Sequence, residues 1–356
     1  MTKTIFACVL MINDIHISKD NIPDFILNWG EALDICTGLK INTIALGGDL
    51  FQSRAAQTLD VLLAVHDALT NAELKGITVV LANGNHDLVD QEAIRGYCHV
   101  FSRHANVIVI NDFLTLAEEG WDFSLHMIAY FPENGSFTDK LNALIHGSLD
   151  TERKNYLYIH EGINGALLHS SDNELPAHIF KDFDKVFVGH YHNRCVIADT
   201  NIEYIGSSRQ HNFGEDEEKG YTVLSSDGSQ EFVKNKANTR FMVIDVPLEK
   251  VNIHLKDHLD EIKADGKYKV KVRVHCDTAD ANSIDKNELV KSGASKVEVI
   301  TKDPELKAIT STGLFEKFDS NKIRENYQQF CREKDIEDIS LGLSYLSKID
   351  KYVETN

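Results

Sequence analysis

At its start, the chain alternates short apolar runs with amphipathic segments, and this alternation restricts the possible folds more than any other feature. Residues 5–12, 41–46 and 77–81 are apolar runs of strand length. Between them, residues 23–39 and 58–74 carry apolar side chains at helical spacing. Strands that are buried on both faces have continuous apolar runs, and a β-α-β-α-β series forms a mainly parallel sheet with right-handed crossovers. The sequence therefore predicts an α/β fold.

Further strand signals follow this series. We expect them to build a second, partly antiparallel sheet that packs against the first. The signals lie at residues 107–110, 123–131, 157–159, 186–188, 195–198, 202–205 and 221–225.

The pattern changes near residue 240, where a strand signal leads to Pro247, a plausible hinge. An alternating strand at residues 268–275, a helix at 283–292 and a strand at 296–300 predict a small α/β module. After it, strand signals stop. Two amphipathic helices are predicted at residues 315–333 and 336–353, and their pattern favours partner binding over a helical extension folded on the core.

Charge limits the classes of function. The 356 residues carry a formal net charge of −18, which argues against a broad basic surface that binds nucleic acid unaided. The charge does not exclude an enzyme that acts on DNA, because bound divalent cations invert the local charge at a phosphate site. The acidic run at residues 215–218 is expected to be a solvated loop.

Cysteine usage and hydropathy limit the cellular setting. The six cysteines contain no CxxC pair, which excludes a zinc ribbon or a thioredoxin-like motif and favours a reducing compartment. The apolar run at residues 5–12 is too short to span a membrane and lacks the cleavage site of a signal peptide. No other segment is expected to cross a bilayer.

Side chains that bind metals well stand at the ends of the strand signals. In open α/β sheets, sites form where the carboxyl ends of the strands meet. Asp49 and Asn85 each follow a glycine, which lets the backbone turn tightly and leaves the side chain exposed. Seven such side chains recur in order along the chain: Asp14, His16, Asp49, Asn85, His160, His190 and His192.

The spacing within two pairs of these residues supports a shared site. Asp14 and His16 flank one residue, so in an extended turn both side chains can face the same side. His190 and His192 repeat this spacing. Carboxylate, imidazole and amide donors together suit a pair of transition-metal ions.

Such a pair of ions has a defined chemistry. Two ions about 3.5–4 Å apart can clamp a phosphate, and a hydroxide that bridges them becomes nucleophilic near neutral pH. Asp49 is the natural bridging carboxylate, because it is the only acidic candidate between the two paired sets. His86, which directly follows Asn85, would stabilise the developing charge or protonate the leaving oxygen.

These residues belong to five short motifs that resemble, in order, those of the calcineurin-like metallophosphoesterases. Within that superfamily the chain is most similar to the SbcD nucleases, the bacterial and viral relatives of the nuclease subunit in the double-strand-break repair complex. The resemblance covers roughly residues 1–230 by motif and extends more loosely beyond them. The motifs are Asp14-Ile15-His16, Gly48-Asp49-Leu50-Phe51, Gly84-Asn85-His86-Asp87, His160-Glu161 and Gly189-His190-Tyr191-His192.

The resemblance implies a ligand set and a cofactor. It implies two divalent metal ions, with manganese as the cation that the family suggests, and His86 as the catalytic histidine. Metal one would be held by Asp14, His16, Asp49 and His192, and metal two by Asp49, Asn85, His160 and His190.

The resemblance also implies a fold. We expect a four-layer α/β/β/α metallophosphoesterase sandwich over residues 1–240 and a small α/β capping domain over residues 241–303 that faces DNA. The C-terminal helices over residues 304–356 would dock onto the coiled coil of an SbcC-type ATPase.

The activity that the resemblance implies is that of a two-metal-dependent exo- or endonuclease. It would act as a subunit of an SbcC–SbcD-like complex in DNA repair or recombination, and would hydrolyse phosphodiesters with a metal-bridged hydroxide. A homodimer and a cytoplasmic location, in a bacterium or in an infected host cell, are expected as well.

A later stretch is less specific. Tyr204-Ile205-Gly206-Ser207-Ser208 resembles the last motif of the family's nuclease domain, and Arg209 and His211 beside it are candidates for contact with a substrate phosphate. Two positions depart from the family pattern. Ile17-Ser18 stands where Leu-Gly is frequent, and Gln52 stands where an acidic residue is frequent; neither replaces a ligand.

Two other functions stay open. The chain could be a phosphoesterase of the same fold that acts on a small nucleotide or a phosphoprotein, which would need neither cap nor tail. It could also be a non-catalytic subunit that uses the metal site structurally. Cleavage of DNA distinguishes a nuclease from the first alternative. The effect of removing His86 distinguishes an enzyme from the second.

Overall fold

The computed structural model describes residues 4–90, 95–132, 136–167, 174–251, 253–254 and 268–302, with positions 327, 331, 339, 340 and 343. The chain divides into two compact units. One comprises Met1–Val243 with His258–Lys271, and the other comprises Ile244–Asp257 with Val272–Asn356. The predicted boundaries at residues 240 and 303 stay predictions, and the predicted C-terminal helices lie almost entirely outside the described residues.

Most of the regular structure in the described residues is β-strand, with a few helices between the strands. The strands are β1 (Ala7–Ile12), β2 (Thr43–Leu46), β3 (Thr78–Leu81), β4 (Val107–Val109), β5 (Phe113–Leu116), β6 (Phe123–Ile128), β7 (Lys154–His160), β8 (Lys185–Gly189), β9 (Cys195–Val196), β10 (Ile202–Tyr204), β11 (Gly220–Ser225), β12 (Gln230–Lys234), β13 (Arg240–Pro247), β14 (Tyr268–Asp277) and β15 (Lys296–Lys302). The α-helices are α1 (Ile22–Leu39), α2 (Leu59–Leu74), α3 (Ser136–Ser148) and α4 (Lys286–Lys291). Of these, β5, β12 and α3 had no clear signal in the sequence.

Local chemistry sets the bounds of α1. Proline lies in its first turn, where no backbone donor is needed, and Lys40 after its last residue adopts a left-handed conformation (φ 59°) that ends the helix. Phe25, Trp29 and Leu33 recur on one face and are buried. The Trp29 indole Nε1–H donates to the Ala68 carbonyl at 2.8 Å, which ties α1 to α2.

The first sheet carries the predicted parallel series. Its strand order is β12-β11-β1-β2-β3-β4. β1 to β4 are parallel neighbours, so their carboxyl ends lie at one edge. The placement of residues 107–110 and 221–225 in the second sheet was wrong, because β4 pairs parallel with β3 and β11 pairs antiparallel with β1. Tyr221 packs among the α1 and α2 side chains while Leu224 joins the core between the sheets, so β11 is covered on both faces.

The second sheet has the order β5-β6-β7-β8-β10-β9. β6, β7, β8 and β10 are parallel, and the edge strands β5 and β9 are antiparallel to their neighbours. This sheet is therefore partly antiparallel, as predicted.

Alternate side chains of β1 show how the layers stack. Val9 and Met11 belong to the core shared with the second sheet, whereas Leu10 and Ile12 belong to the core shared with α1 and α2. α3 adds Phe137 and other apolar side chains to the second sheet's side. The predicted four-layer α/β/β/α sandwich is confirmed.

The remaining strands form a third sheet in the order β13-β14-β15. α4 is shorter than the predicted helix at residues 283–292, because Asp285 caps it. The Asp285 carboxylate accepts from the backbone N–H groups of Asn287 and Glu288, at 2.9 and 3.1 Å. In the described part of the chain, every helix is too short or too polar to cross a membrane.

One buried histidine in the second sheet is fully hydrogen-bonded in its neutral form. His126 on β6 is inaccessible to solvent. Its Nε2–H donates to the Asn155 Oδ1 at 3.0 Å, and its Nδ1 accepts from the Thr115 hydroxyl at 2.8 Å. Burial holds the pKa of His126 below its usual value.

We expect His126 to weaken the fold in acid. Because the folded-state pKa is lowered, the unfolded chain binds a proton that the folded chain does not, so stability is lost as the pH falls below about 6.5, the unfolded value. Urea unfolding of metal-free wild type and His126→Gln between pH 5 and pH 8 measures this. The variant should lose less stability on acidification. An equal pH dependence of the unfolding free energy in the two proteins would contradict this prediction. The control is His146→Gln, at an exposed position.

Candidate metal centre

The seven predicted ligands lie at strand ends and in the loops that follow them, from both sheets of the sandwich. β1, β2 and β3 of the first sheet lead into the loops that carry Asp14 with His16, Asp49 and Asn85. β7 and β8 of the second sheet lead into His160, His190 and His192. The prediction that the candidates lie at carboxyl ends of strands is confirmed.

Four of these residues have a strained backbone. Asp14, His16, Asp49 and His190 have φ values of 49°, 48°, 54° and 88°, a left-handed region that costs a non-glycine residue about 1 kcal/mol or more. The predicted extended turn at Asp14 and His16 was wrong. Left-handed turns aim both side chains inward, and backbone hydrogen bonds from Asp14 and His16 to the β2 loop hold them there at 3.2 and 3.0 Å.

Two carboxylates lie between two imidazoles at the centre of the cluster. Asp49 Oδ2 is 3.5 Å from His16 Nε2 and 3.3 Å from His160 Nε2. Asp14 Oδ1 is 3.9 Å from each of the same two nitrogens. His192 Nε2 approaches His16 Nε2 to 3.1 Å. The central position of Asp49 fits the role of a bridging ligand.

These atoms fall into groups of the size that one metal ion requires. Among the residues that the structure describes, three sets have ligand atoms that all lie within 4.8 Å of one another. The sets are Asp14 with His16 and His192, His16 with Asp49 and His86, and Asp14 with Asp49 and His160.

Asn85 and His190 complete the predicted set in different ways. Asn85 Oδ1 lies 3.2 Å from His160 Nε2, and the Asn85 carboxamide also faces the Asp49 carboxylate. The His190 ring lies against the His160 ring with centroids 5.4 Å apart, and its backbone N–H donates to the Asp14 carboxylate. His190 thus borders the cluster, but belongs to none of the three sets found among the described residues.

His86 stands at the rim of the cluster. Its Nδ1–H donates to the Gln52 carbonyl at 2.7 Å, which leaves Nε2 free to face the other ligands. Its backbone N–H donates to Asp49 Oδ1 at 2.8 Å, and its ring meets the His16 ring edge-on with centroids 4.9 Å apart. Because Gln52 acts through its backbone, the unusual side chain at this position does not disturb the contact.

Burial of two carboxylates governs the electrostatics. Burial raises the pKa of Asp14, whereas for Asp49 the charges of His160 and His16 outweigh burial and lower it. Burial acts to lower the pKa of His160, but the Asp49 and Asp14 carboxylates raise it to about 10. The pKa of His16 falls to about 3, mainly because the ring is buried. The cluster therefore favours added positive charge beside its carboxylates.

The orientation of the ligands fits divalent cations. The His160 Nδ1–H donates to the Gly47 carbonyl at 3.0 Å, so in the neutral ring the Nε2 lone pair faces Asp14 and Asp49. With His160 neutral, the Asn85 oxygen faces two other acceptors, an arrangement that a cation between them would stabilise. Oxygen and nitrogen donors together suit manganese, iron or zinc.

Two carboxylates that support the site had not been predicted. The Glu215 Oε1 is 2.8 Å from His192 Nδ1, and Glu215 also accepts from the backbone N–H of His211. The interpretation of this acidic run as a solvated loop was wrong for Glu215, because its side chain is only 8% exposed against His192. A run of acidic residues carries no signal that would single out this one.

Asp87 is the second support. Its carboxylate accepts from the backbone N–H groups of Gly84, Phe51 and Leu50, at 2.7, 2.9 and 3.3 Å. Burial, with the nearby Asp49 charge, raises the pKa of Asp87 to about 7. The side chain therefore ties the loop of Asp49 to the loop of Asn85. Its position directly after His86 was the signal in the sequence that could have identified Asp87 as part of the site.

The side chains of the two predicted substrate residues hydrogen-bond to the protein backbone. The Arg209 Nη2 donates to the Ile15 carbonyl at 3.0 Å, and the His211 Nε2–H donates to the Asp14 carbonyl at 2.8 Å. Both side chains thereby brace the loop of Asp14 and His16. Their contact with substrate stays a prediction.

Comparisons with known proteins found one curated relative over part of the chain. No family model matches the chain. It is 28% identical to the SbcD subunit of the nuclease SbcCD from Staphylococcus epidermidis, in an alignment that covers 52% of this chain and 56% of that protein. The chain thus spans about half the length of the curated relative that it matches.

Two solved structures are also similar to this chain. A dimetal phosphatase from Danio rerio has a TM-score of 0.38 at 10% identity, over 63% of this chain and 99% of that one. The Pseudomonas putida nuclease MPE has a TM-score of 0.29 at 13% identity, over 60% and 82%. Neither score reaches 0.5, so the strand order and the site geometry carry the interpretation.

We expect Gly48→Ala to damage the site more than an ordinary glycine substitution. Gly48 has a φ of 114°, and an added Cβ would meet His160 Cγ at 2.6 Å and Gly84 Cα at 2.9 Å. Backbone strain and the clash together should cost about 2–4 kcal/mol. Chemical unfolding and Mn²⁺ calorimetry measure the loss of stability and of affinity.

Gly76→Ala is the matched control. Gly76 also has a positive φ, 68°, but an added Cβ would meet nothing within 4 Å. It should cost only about 1 kcal/mol and leave Mn²⁺ affinity unchanged. Equal effects of the two substitutions would show that the close approach to His160 does not matter.

We expect Glu215→Gln to weaken metal binding about ten- to hundredfold, because the carboxylate orients His192 and raises its basicity. Glu218→Gln is the control in the same acidic run, since Glu218 is 59% exposed and pairs with Lys234. Calorimetric titration with Mn²⁺ compares the two variants. Similar affinities would argue against a role for Glu215 in the site.

Proposed function

We propose that this chain is a metal-dependent phosphoesterase that hydrolyses phosphodiesters. One observation carries the proposal. Loops from both sheets bring two buried carboxylates, Asp14 and Asp49, within 4 Å of His16 and His160, with His86 at the rim. Structural histidines rarely gather around paired carboxylates, whereas such a donor set is typical of a two-metal hydrolase.

The proposed division of ligands follows the resemblance. Bound divalent ions would supply Lewis-acid activation of the phosphate and an activated nucleophile at neutral pH. We assign metal one to Asp14, His16, Asp49 and His192, and metal two to Asp49, Asn85, His160 and His190. Manganese is the proposed metal.

The chain's own residues would then orient the reaction. The Gln52 carbonyl fixes the His86 ring, so that its Nε2 can donate a proton to the leaving oxygen or stabilise charge on it. Glu215 and the Gly47 carbonyl hold His192 and His160 with their Nε2 atoms inward. The strained turns keep Asp14 and Asp49 in place before substrate arrives.

The finer proposal is a DNA nuclease subunit that works with a coiled-coil ATPase of SbcC type. Its support is the relative described as the SbcD part of the SbcCD nuclease, and the order of the motifs. Residues 241–303 would form the DNA-facing cap and residues 304–356 the partner-binding segment. A role in DNA repair or recombination, a homodimer and a cytoplasmic location belong to the same proposal.

The net charge supports a second candidate. At −18, the chain has little general attraction for DNA, which favours a small nucleotide or a phosphoprotein as substrate. If a partner supplies the grip on DNA, the same charge is compatible with the nuclease. Substrate class therefore has to be measured with and without an SbcC-type partner.

We expect Mn²⁺-dependent hydrolysis of both linear DNA and bis(p-nitrophenyl) phosphate, abolished by chelation. His86→Ala should lower kcat about 10²–10⁴-fold because a proton donor is lost. Its Mn²⁺ affinity, measured by calorimetry, should stay close to that of wild type. His146→Ala, at an exposed position on α3, controls for loss of an imidazole.

Three results would revise the proposal. Hydrolysis of the chromogenic ester without any cleavage of DNA, with or without the partner, would favour the small-substrate enzyme. Full activity of His86→Ala would remove His86 from the mechanism. Loss of Mn²⁺ affinity in His86→Ala would place this residue among the ligands, as its grouping with His16 and Asp49 allows.

A further inference from the structure

Arg54 is a cation beside the metal cluster for which the sequence motifs provide no role. It lies in the loop after β2 and is exposed. Its guanidinium Nη2 contacts the carboxamide of Asn85, a proposed ligand. In the described part of the chain, Arg54 forms no salt bridge with a carboxylate. Its guanidinium is therefore not directly paired with a carboxylate in that part of the protein.

If the Asn85 oxygen serves as a metal ligand, the contact of Asn85 with Arg54 joins two donors. With the Asn85 oxygen directed at Asp49 and His160, the amide nitrogen faces the Arg54 guanidinium. Both groups carry only N–H donors on these sides, so they cannot bond to each other. Half a turn of the amide would let its oxygen accept from Arg54, but an N–H would then face Asp49, and Asn85 would leave the ligand set.

An acceptor that enters from solvent would resolve this conflict. A phosphate oxygen that lies beside both groups could accept from the Asn85 amide and from the Arg54 guanidinium at once. Guanidinium is permanently charged and planar, and its fork of donors matches two oxygens of a phosphate. A water molecule could also accept, but would leave the positive charge uncompensated.

The loop that carries Arg54 is well anchored at its backbone. The Tyr97 hydroxyl donates to the Arg54 carbonyl at 3.1 Å, and the Gln57 amide donates to the Ser53 carbonyl at 2.6 Å. The same loop provides the Gln52 carbonyl that orients His86. One short segment, residues 52–54, thus places both the proposed proton donor and the cation beside the cluster.

We propose that Arg54 binds a non-bridging oxygen of the substrate phosphate and is a substrate-binding residue of this site. The inference rests on the proposed phosphoesterase function and deepens it. Arg54 approaches the cluster from the side of Asn85, so it would hold the phosphate against that ligand. It would contribute to binding of any phosphate ester, whatever the nature of the two ester groups.

Binding of inorganic phosphate to the Mn²⁺-loaded protein tests this role without turnover. Calorimetry would compare wild type with Arg54→Gln, Arg54→Lys and Arg103→Gln. We expect Arg54→Gln to weaken phosphate binding at least about tenfold, because a charge-assisted hydrogen bond is lost. Arg54→Lys should be intermediate, since it keeps the charge and loses the fork. Arg103, an exposed arginine that precedes β4 at the opposite edge of the sheet, should have no effect.

The affinity for Mn²⁺, measured separately, distinguishes substrate binding from support of a ligand. It should be unchanged in Arg54→Gln. If Mn²⁺ affinity fell as much as phosphate affinity, Arg54 would act by orienting Asn85, and the proposal would be overturned. Unchanged phosphate affinity would overturn it as well.

Turnover of bis(p-nitrophenyl) phosphate separates this inference from the function on which it rests. If wild type hydrolyses the ester, Arg54→Gln should raise KM more than it lowers kcat. Hydrolysis by wild type with an unchanged KM and phosphate affinity in Arg54→Gln would defeat the inference alone. If wild type hydrolyses no ester while its phosphate binding depends on Arg54, the proposed function fails and the binding site stands.

Discussion

Two carboxylates that are almost completely buried lie where the two sheets meet, and the surrounding groups compensate their negative charge. Asp14 and Asp49 are 0% and 2% exposed. Isolated charges in such a position are costly, and imidazoles that can be protonated or can share a cation compensate them. The left-handed turns, the bracing by Arg209 and His211, and the network at Glu215 all serve this small volume. The same negative charge that destabilises the fold allows it to bind divalent cations.

Backbone contacts from several loops preorganise this site. Asp87 accepts three backbone N–H groups from two loops, and Gly48 allows His160 to pass within van der Waals distance. Few of these contacts involve a ligand's own metal-facing atom. A loop geometry of this kind holds its shape through main-chain hydrogen bonds, so side chains at the rim, such as His86 and Arg54, can be chosen for chemistry.

Much of this arrangement could be predicted from the sequence because the signals are local. A buried strand has a continuous apolar run, and polar residues directly after it must lie at the sheet edge, so the positions of all seven candidates followed from chain order. Pairing was harder. β11 has apolar side chains that fit either sheet, and only the packing of Tyr221 under α1 decides between them. The turn at Asp14 and the burial of Glu215 depend on contacts distant in sequence, which no local pattern contains.

The two sheets also contact each other directly beside the site. The Tyr158 hydroxyl on β7 donates to the Ile12 carbonyl on β1 at 2.8 Å, next to the loop of Asp14. Misplacement of reacting groups by about 1 Å can lower a rate about a hundredfold. Since the candidate ligands come from both layers, a small shift of one layer along the other would change the distances between the ligands of the first sheet and those of the second. The Tyr158 hydrogen bond thus fixes one layer against the other at the point where the ligands meet.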